Sequence, residues 1–173
     1  NNGTSWTEVD TGLTNHVVFA LGVSGTYLFA GTDGGGVFLS ANNGTSWSAV
    51  NTGLQAYAVV SALAVYGTKL FAGTHGAGLF RSSDNGASWM ASGLSNNSVE
   101  AFAVSGSYLI AGGDRVFRSS DNGASWTAVN SGLKFGYVRS LRASGSYLFV
   151  GSEGDGVFRS SDNGASWTAV NSG

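Results

Sequence analysis

The 173-residue chain has no cysteine and no proline, and only 10% of its residues are charged. The missing cysteine excludes disulfides, thiolate metal ligands and thiol nucleophiles. The sparse charge, a net of -2, leaves no basic footprint for nucleic acid or for an anionic membrane surface, so neither is an expected partner. No apolar run reaches the roughly 18 residues that a membrane helix needs. No basic-then-apolar leader opens the sequence either, so no membrane span is expected. Sustained helical periodicity is also lacking, which predicts almost no helix. With 42% hydrophobic and 12% aromatic residues the chain can bury a core, and its composition is the opposite of a disordered segment's.

The abundant residue is glycine, at 28 positions, and the regular one is tryptophan. Trp6, Trp47, Trp89, Trp126 and Trp167 each follow Asn-Gly-Thr-Ser or Asn-Gly-Ala-Ser, at intervals of 41, 42, 37 and 41 residues. A period near 40 residues filled with short strand-like runs is the mark of propeller blades. The first full repeat holds four such runs, Val17 to Val23, Tyr27 to Gly31, Gly36 to Ser40 and Ser46 to Val50, read as strands A to D. Strand A is continuously apolar, as suits an inner strand between two neighbouring sheets, whereas strand D alternates, as suits an outer strand with one wet face. Gly25, Gly67, Gly106 and Gly145 share the A-to-B hairpin position, where a positive φ is commonly required.

One such sheet cannot bury itself, but sheets packed face to face around an axis can. The expectation is an all-β protein, a β-propeller of four-stranded antiparallel blades forming one domain or part of one over residues 1–173. Its four complete blades fall at about 11–51, 52–91, 92–130 and 131–173, with an extra outer strand at 4–10. That fifth D strand has no A, B or C partners of its own. The chain is accordingly expected to be part of a longer propeller, to assemble with a second copy, or to pair a terminal strand in trans.

The C-to-D segments read SSDNGASW at Ser82 to Trp89, Ser119 to Trp126 and Ser160 to Trp167. Asn replaces Asp in SANNGTSW, at Asn42, and in NNGTSW, at Asn1. This pattern resembles the Asp-box of the BNR repeat family, found in sialidases, sortilin-type receptors, photosystem II assembly-factor-like proteins and secreted bacterial propellers. On that resemblance, five sets of residues staple the blade periphery: Asn1 and Trp6; Asn42, Gly44 and Trp47; Asp84, Gly86 and Trp89; Asp121, Gly123 and Trp126; Asp162, Gly164 and Trp167. The carboxylate or amide is expected to accept backbone N–H bonds about two residues ahead, glycine to take the left-handed position, and tryptophan to bury its ring with its indole N–H partnered. The resemblance also implies an extracellular or cell-envelope location. Its sialidase members add an Arg-Ile-Pro motif, three converging arginines and a tyrosine nucleophile paired with glutamate. A chain without proline lacks the first of these, so no catalytic residue and no cofactor are expected.

In a propeller the D-to-A and B-to-C loops share one face, where ligands gather near the axis. At the start of strand A the repeats align Phe19, Ser61, Glu100 and Arg139. Glu100 and Arg139 are read as a partly buried ion pair locking adjacent blades. Alternatively they line a pocket with His16, Tyr57, Phe135, Tyr137 and Arg142, a mixture suited to a sugar or a peptide. The B-to-C turns align Asp33, His75, Asp114 and Glu153, a set able to ring a cation, although glycine-rich turns favour exposed acids in any case and no metal is expected. The functional expectation is a noncatalytic scaffold for a protein or carbohydrate ligand, self-assembling through the surplus strand. A fragment of a sialidase-type glycoside hydrolase and a purely structural subunit of a polymer or larger ring are the alternatives.

Overall fold

The computed structural model describes residues 2–134 and 136–172. It contains no helix among them and builds four antiparallel four-stranded sheets, a four-bladed β-propeller. Blade 1 consists of β1 (Val18–Ser24), β2 (Tyr27–Thr32), β3 (Gly36–Ser40) and β4 (Ser48–Ala49). Blade 2 follows with β5 (Val60–Tyr66), β6 (Lys69–Thr74), β7 (Leu79–Ser82) and β8 (Met90–Ala91). Blade 3 holds β9 (Val99–Ser105), β10 (Tyr108–Gly113), β11 (Val116–Ser119) and β12 (Thr127–Ala128). Blade 4 holds β13 (Val138–Ser144), β14 (Tyr147–Ser152), β15 (Gly156–Ser160) and β16 (Thr168–Ala169). The strands pair in simple sequence order, and the four hairpin glycines all take positive φ, between 57° and 61°. The outer strands are shorter than the sequence suggested, two residues each, because only two residues of each pair with strand C.

Three apolar clusters join the blades. Phe29 and Val37 of blade 1 pack on Val60, Ala72 and Phe80 of blade 2. Phe71 and Leu79 of blade 2 then pack on Val99, Leu109 and Ala111 of blade 3, and Ile110 and Val116 of blade 3 on Val138, Leu148 and Phe158 of blade 4. Each fully buried side chain of this size contributes about 1.5–3 kcal/mol, which is why sheets this short hold together only as a stack. The fourth-to-first junction is not formed: β1 and β13 do not pack as neighbouring inner strands do. Val18 and Val157 are consequently 38% and 42% exposed, while their equivalents in the formed junctions, Val60 and Val116 among them, are fully buried.

The extra outer strand expected at 4–10 is not a strand, since every strand C already pairs with its own strand D and offers no second edge. Its tail instead lies over Trp47, whose indole Nε1 donates to the Val9 carbonyl (2.8 Å) and whose backbone N donates to that of Thr11 (2.8 Å). Trp89 binds Val50 and Thr52 in the same way, and Trp167 binds Val129 and Ser131. Residues 9–11 therefore hold the place of a preceding blade's outer strand, while Trp6 is left 90% exposed.

The tight turns between strands C and D repeat one network. In blade 2 the Ser82 hydroxyl donates to Asp84 Oδ1 (2.7 Å) and accepts from Gly86 N (2.8 Å). Ser88 then donates through its backbone N to Asp84 Oδ1 (2.9 Å) and through its hydroxyl to Oδ2 (2.5 Å). Blades 3 and 4 repeat this around Asp121 and Asp162. The carboxylate thus reaches four residues ahead rather than two, because two consecutive residues, Asn85 and Gly86, are left-handed and wind the turn tighter than an Asx-turn. These bonds favour the ionised form, holding Asp84 and Asp162 down to about 2 and Asp121 lower still. In blade 1 the Asn42 amide substitutes by reversing one bond, donating through Nδ2 to the Ser46 hydroxyl (2.9 Å). Asn1 lies outside the described residues.

The blade 2 to blade 3 junction departs from this pattern. Its outer strand, WMASG, is two residues shorter than WSAVNTG in blade 1, and Ser92 stands where Val50 does. The indole of the next tryptophan finds no acceptor on this shortened strand. Trp126 Nε1 is buried without a hydrogen-bond partner, the one such side-chain atom among the described residues.

Candidate functional site

The inner strands carry a β-bulge near their start in all four blades. The residues left out of register by it are Phe19, Ser61, Glu100 and Arg139. A bulge re-aims a side chain that a regular strand would bury against the neighbouring sheet. Strand B supplies the partner for this irregularity: Gly31, Gly73 and Gly112 lie beside the bulges. A Cβ there would come within 2.6–2.7 Å of Cγ1 of Val60, Val99 and Val138. Glycine at this position thus serves both the bulge and the close approach of the next blade.

The bulged residues converge on a cup of about 500 Å³ lined by all of Phe19, Ser61, Glu100 and Arg139, together with Asp33, Val59 and His75. Beneath it the inner strands enclose a channel of about 240 Å³, which shares Ser61, Glu100 and Arg139 with the cup and has Arg142 in its wall. B-to-C turns seat the rim: the backbone N of Asp33, His75, Asp114 and Glu153 donates to the carbonyl of Val17, Val59, Ser98 and Tyr137, respectively.

The expected Glu100–Arg139 ion pair does not form, because each finds a partner from a B-to-C turn. Glu100, with a side chain only 15% exposed, bonds His75 Nδ1 at 3.0 Å and accepts from the Tyr137 hydroxyl at 2.7 Å. Arg139 instead makes a forked contact with Glu153 Oε2, at 2.9 Å from Nε and 2.6 Å from Nη2, and stacks over the Tyr137 ring at 4.6 Å. One network therefore joins blades 2, 3 and 4. Burial, with the Glu100 carboxylate beside it, pushes the Tyr137 phenol up to about 12, and Glu153 holds Arg139 further into its charged form. The exposed Arg139–Glu153 pair is cheap to open, whereas Glu100 is fixed.

Of the other expected pocket residues, His16 turns away to Asp10 (3.4 Å) and Tyr57 stands outside the cup on the blade 2 entry loop, the loop geometry and not the alignment deciding both. Phe135 lies outside the described residues. The three turn acids and the histidine do not gather around a point: Glu153 serves Arg139, His75 serves Glu100, and Asp114 Oδ2 accepts from Ser98 N (2.7 Å). Among the described residues no three His, Asp or Glu side chains are placed to hold a metal ion. The one hydroxyl lining the cup, Ser61, donates to the Val99 carbonyl (2.8 Å) and not to His75. Phe19, Asp33 and His75 are cup residues that the expected sugar or peptide pocket did not contain. The strand-B glycines were the signal for the bulge that brings Phe19 there.

No protein-family model matches the sequence, and no curated protein matches it either. Among solved structures the chain is similar to an ancestral GH74 enzyme, with 24% identity and a TM-score of 0.78 over 98% of this chain and 26% of that one. It is also similar to the computationally designed Ika4 protein, with 14% identity and a TM-score of 0.69 over 90% of this chain and 98% of that one. A third likeness is to YCF48 bound to a D1 peptide, with 15% identity and a TM-score of 0.62 over 88% and 52% of the two chains. The chain spans about a quarter of the GH74 enzyme and about half of YCF48. At these identities the shared property is the β-propeller fold.

Proposed function

We propose that the chain is a noncatalytic interaction scaffold, an Asp-box propeller of the BNR kind that holds a ligand in its central cup, outside the cytoplasm or at the cell envelope. The observation that carries this reading is the cup itself. Four equivalent positions, bulged out of register in every blade, are filled by four different residues and open onto one cavity. Structural positions of a repeat have no reason to diverge in this way. The lining offers charge of both signs, an aromatic ring and a fixed buried carboxylate, which suits a peptide segment more than a neutral sugar. YCF48, a fold relative, is known with a peptide bound.

The uncovered blade faces add self-assembly to the reading, since Val18 and Val157 occupy positions that the formed junctions bury. A solution mass that rises with concentration, and falls back to the monomer in Val157→Lys, is the expected result. A strict monomer at high concentration removes this part of the reading.

The second reading, a glycoside hydrolase fragment, is favoured by the likeness to a GH74 enzyme. A panel of aryl glycosides separates the two. The scaffold reading expects no turnover above background, whereas hydrolysis abolished by Glu100→Gln would replace it with the enzymatic one.

A further inference from the structure

A second cleft, of about 360 Å³, lies beside the cup on the entry loop of blade 2, between Gln55, Leu54 and Tyr57 on one side and the Gly34 to Gly36 turn on the other. Tyr57 is unusual in two independent ways. Its backbone is left-handed, with φ of 59°, a conformation that a bulky side chain adopts only at a cost. Its ring is 89% exposed, so burial does not repay that cost. The matching loop of blade 3 makes the same left-handed turn with Asn96, at φ of 61°, a residue that tolerates it. In blades 2 and 3 this turn takes a left-handed residue, and blade 3 builds it without a tyrosine.

From this we infer that the Tyr57 cleft is a binding subsite for a neutral pyranose sugar, separate from the ligand of the cup. The lining contains no carboxylate, guanidinium, ammonium or imidazole, which disfavours phosphate, sialic acid and charged peptide side chains. An exposed phenol ring offers a flat, electron-rich face on which the C–H side of a sugar ring stacks, with little side-chain entropy to lose. The hydroxyls at the sugar's edge find amide partners. Among the described residues the Gln55 side chain has no hydrogen-bond partner, and it lines the same cleft. The Asn51 amide, already holding Val37 N (2.7 Å) and the Gly35 carbonyl (2.9 Å), fixes the opposite wall.

The test uses the full chain in saturation-transfer NMR with cellotetraose, maltotetraose, mannotetraose and a galacto-oligosaccharide, with sialyllactose as the charged control. At least one neutral oligosaccharide is expected to bind and sialyllactose not to. Tyr57→Ala is expected to weaken that binding tenfold or more, and Gln55→Ala to weaken it less. Tyr57→Asn supplies a readout that a structural role would reverse: binding is lost while the melting temperature rises, by about 2–4 °C if about 1 kcal/mol of strain is relieved. The inference is overturned if no neutral sugar binds, if sialyllactose or peptides bind in their place, if Tyr57→Ala leaves sugar binding intact, or if Tyr57→Asn lowers the melting temperature.

Discussion

At the C-to-D end of each blade the same serine, acidic or amide residue, glycine and serine make the same bonds four times, with one amide substitution at Asn42. At the opposite end, around the cup, the equivalent positions are a phenylalanine, a serine, a glutamate and an arginine, and the equivalent turns carry Asp33, His75, Asp114 and Glu153. Both ends are built on the same glycine-rich turns and short strands, so local geometry does not explain the difference. Uniformity is what a repeat needs where one blade must grip the next, and divergence is free to arise only where side chains face a cavity. The contrast assigns stability to one end of the blade and, on the proposed reading, recognition to the other.

The largest expected effect breaks the grip between blades. Gly132 has φ of 87°, and a Cβ there would run into the Trp167 carbonyl. Gly132→Ala should cost about 3 kcal/mol or more in urea unfolding, since strain and clash add. The next test sharpens the comparison inside the stapled end. Trp167→Phe deletes a buried indole bond to Val129 and should cost about 1–2 kcal/mol, whereas Trp126→Phe deletes an N–H that has no partner and should cost less than about 0.5 kcal/mol. Equal costs would mean that the indole bond is not what staples the blades.

The acids provide a third test, through pH. Asp84 and Asp162 are depressed to about 2 in the folded chain, so their contribution is complete above the ordinary carboxylate range near pH 4 and is lost as pH falls towards about 2. Thermal melts between those values should show a steady fall, and replacing the two aspartates with asparagine should flatten it. Tyr137 runs the other way. Its phenol is raised to about 12, so what it contributes persists at neutral pH and is lost only as pH climbs from about 10 through 12, a transition that phenolate absorbance follows. The smallest effect on stability belongs to the cup: Arg139→Ala should leave the urea midpoint nearly unchanged, because its pair with Glu153 is exposed.

The blades were legible because a 41-residue period, alternating apolar runs and the repeated SSDNGASW turn all depend on local sequence. The orphaned Trp126 was legible in principle too, since the shortened WMASG strand breaks the spacing that seats the other indoles. The cup was half legible. Aligning repeats singled out Glu100 and Arg139, but their pairing depended on which turn of which blade comes nearest, and no single repeat encodes that. The bulge was hidden because register is set by pairing between strands; only the glycines of strand B pointed to it. The surplus strand failed for a related reason: residues 4–10 have an outer strand's pattern, but every strand C edge is already taken by its own strand D.

The most direct measurement of the division between the two ends is calorimetric titration of a peptide, selected on the full chain, against three variants melted in parallel. Glu100→Gln and Arg139→Ala should each lower its affinity tenfold or more with the melting temperature nearly unchanged, while Asp121→Ala should lower the melting temperature and leave the affinity intact. Failure to select any binder, or affinity lost in Asp121→Ala and retained in both cup variants, would contradict the account.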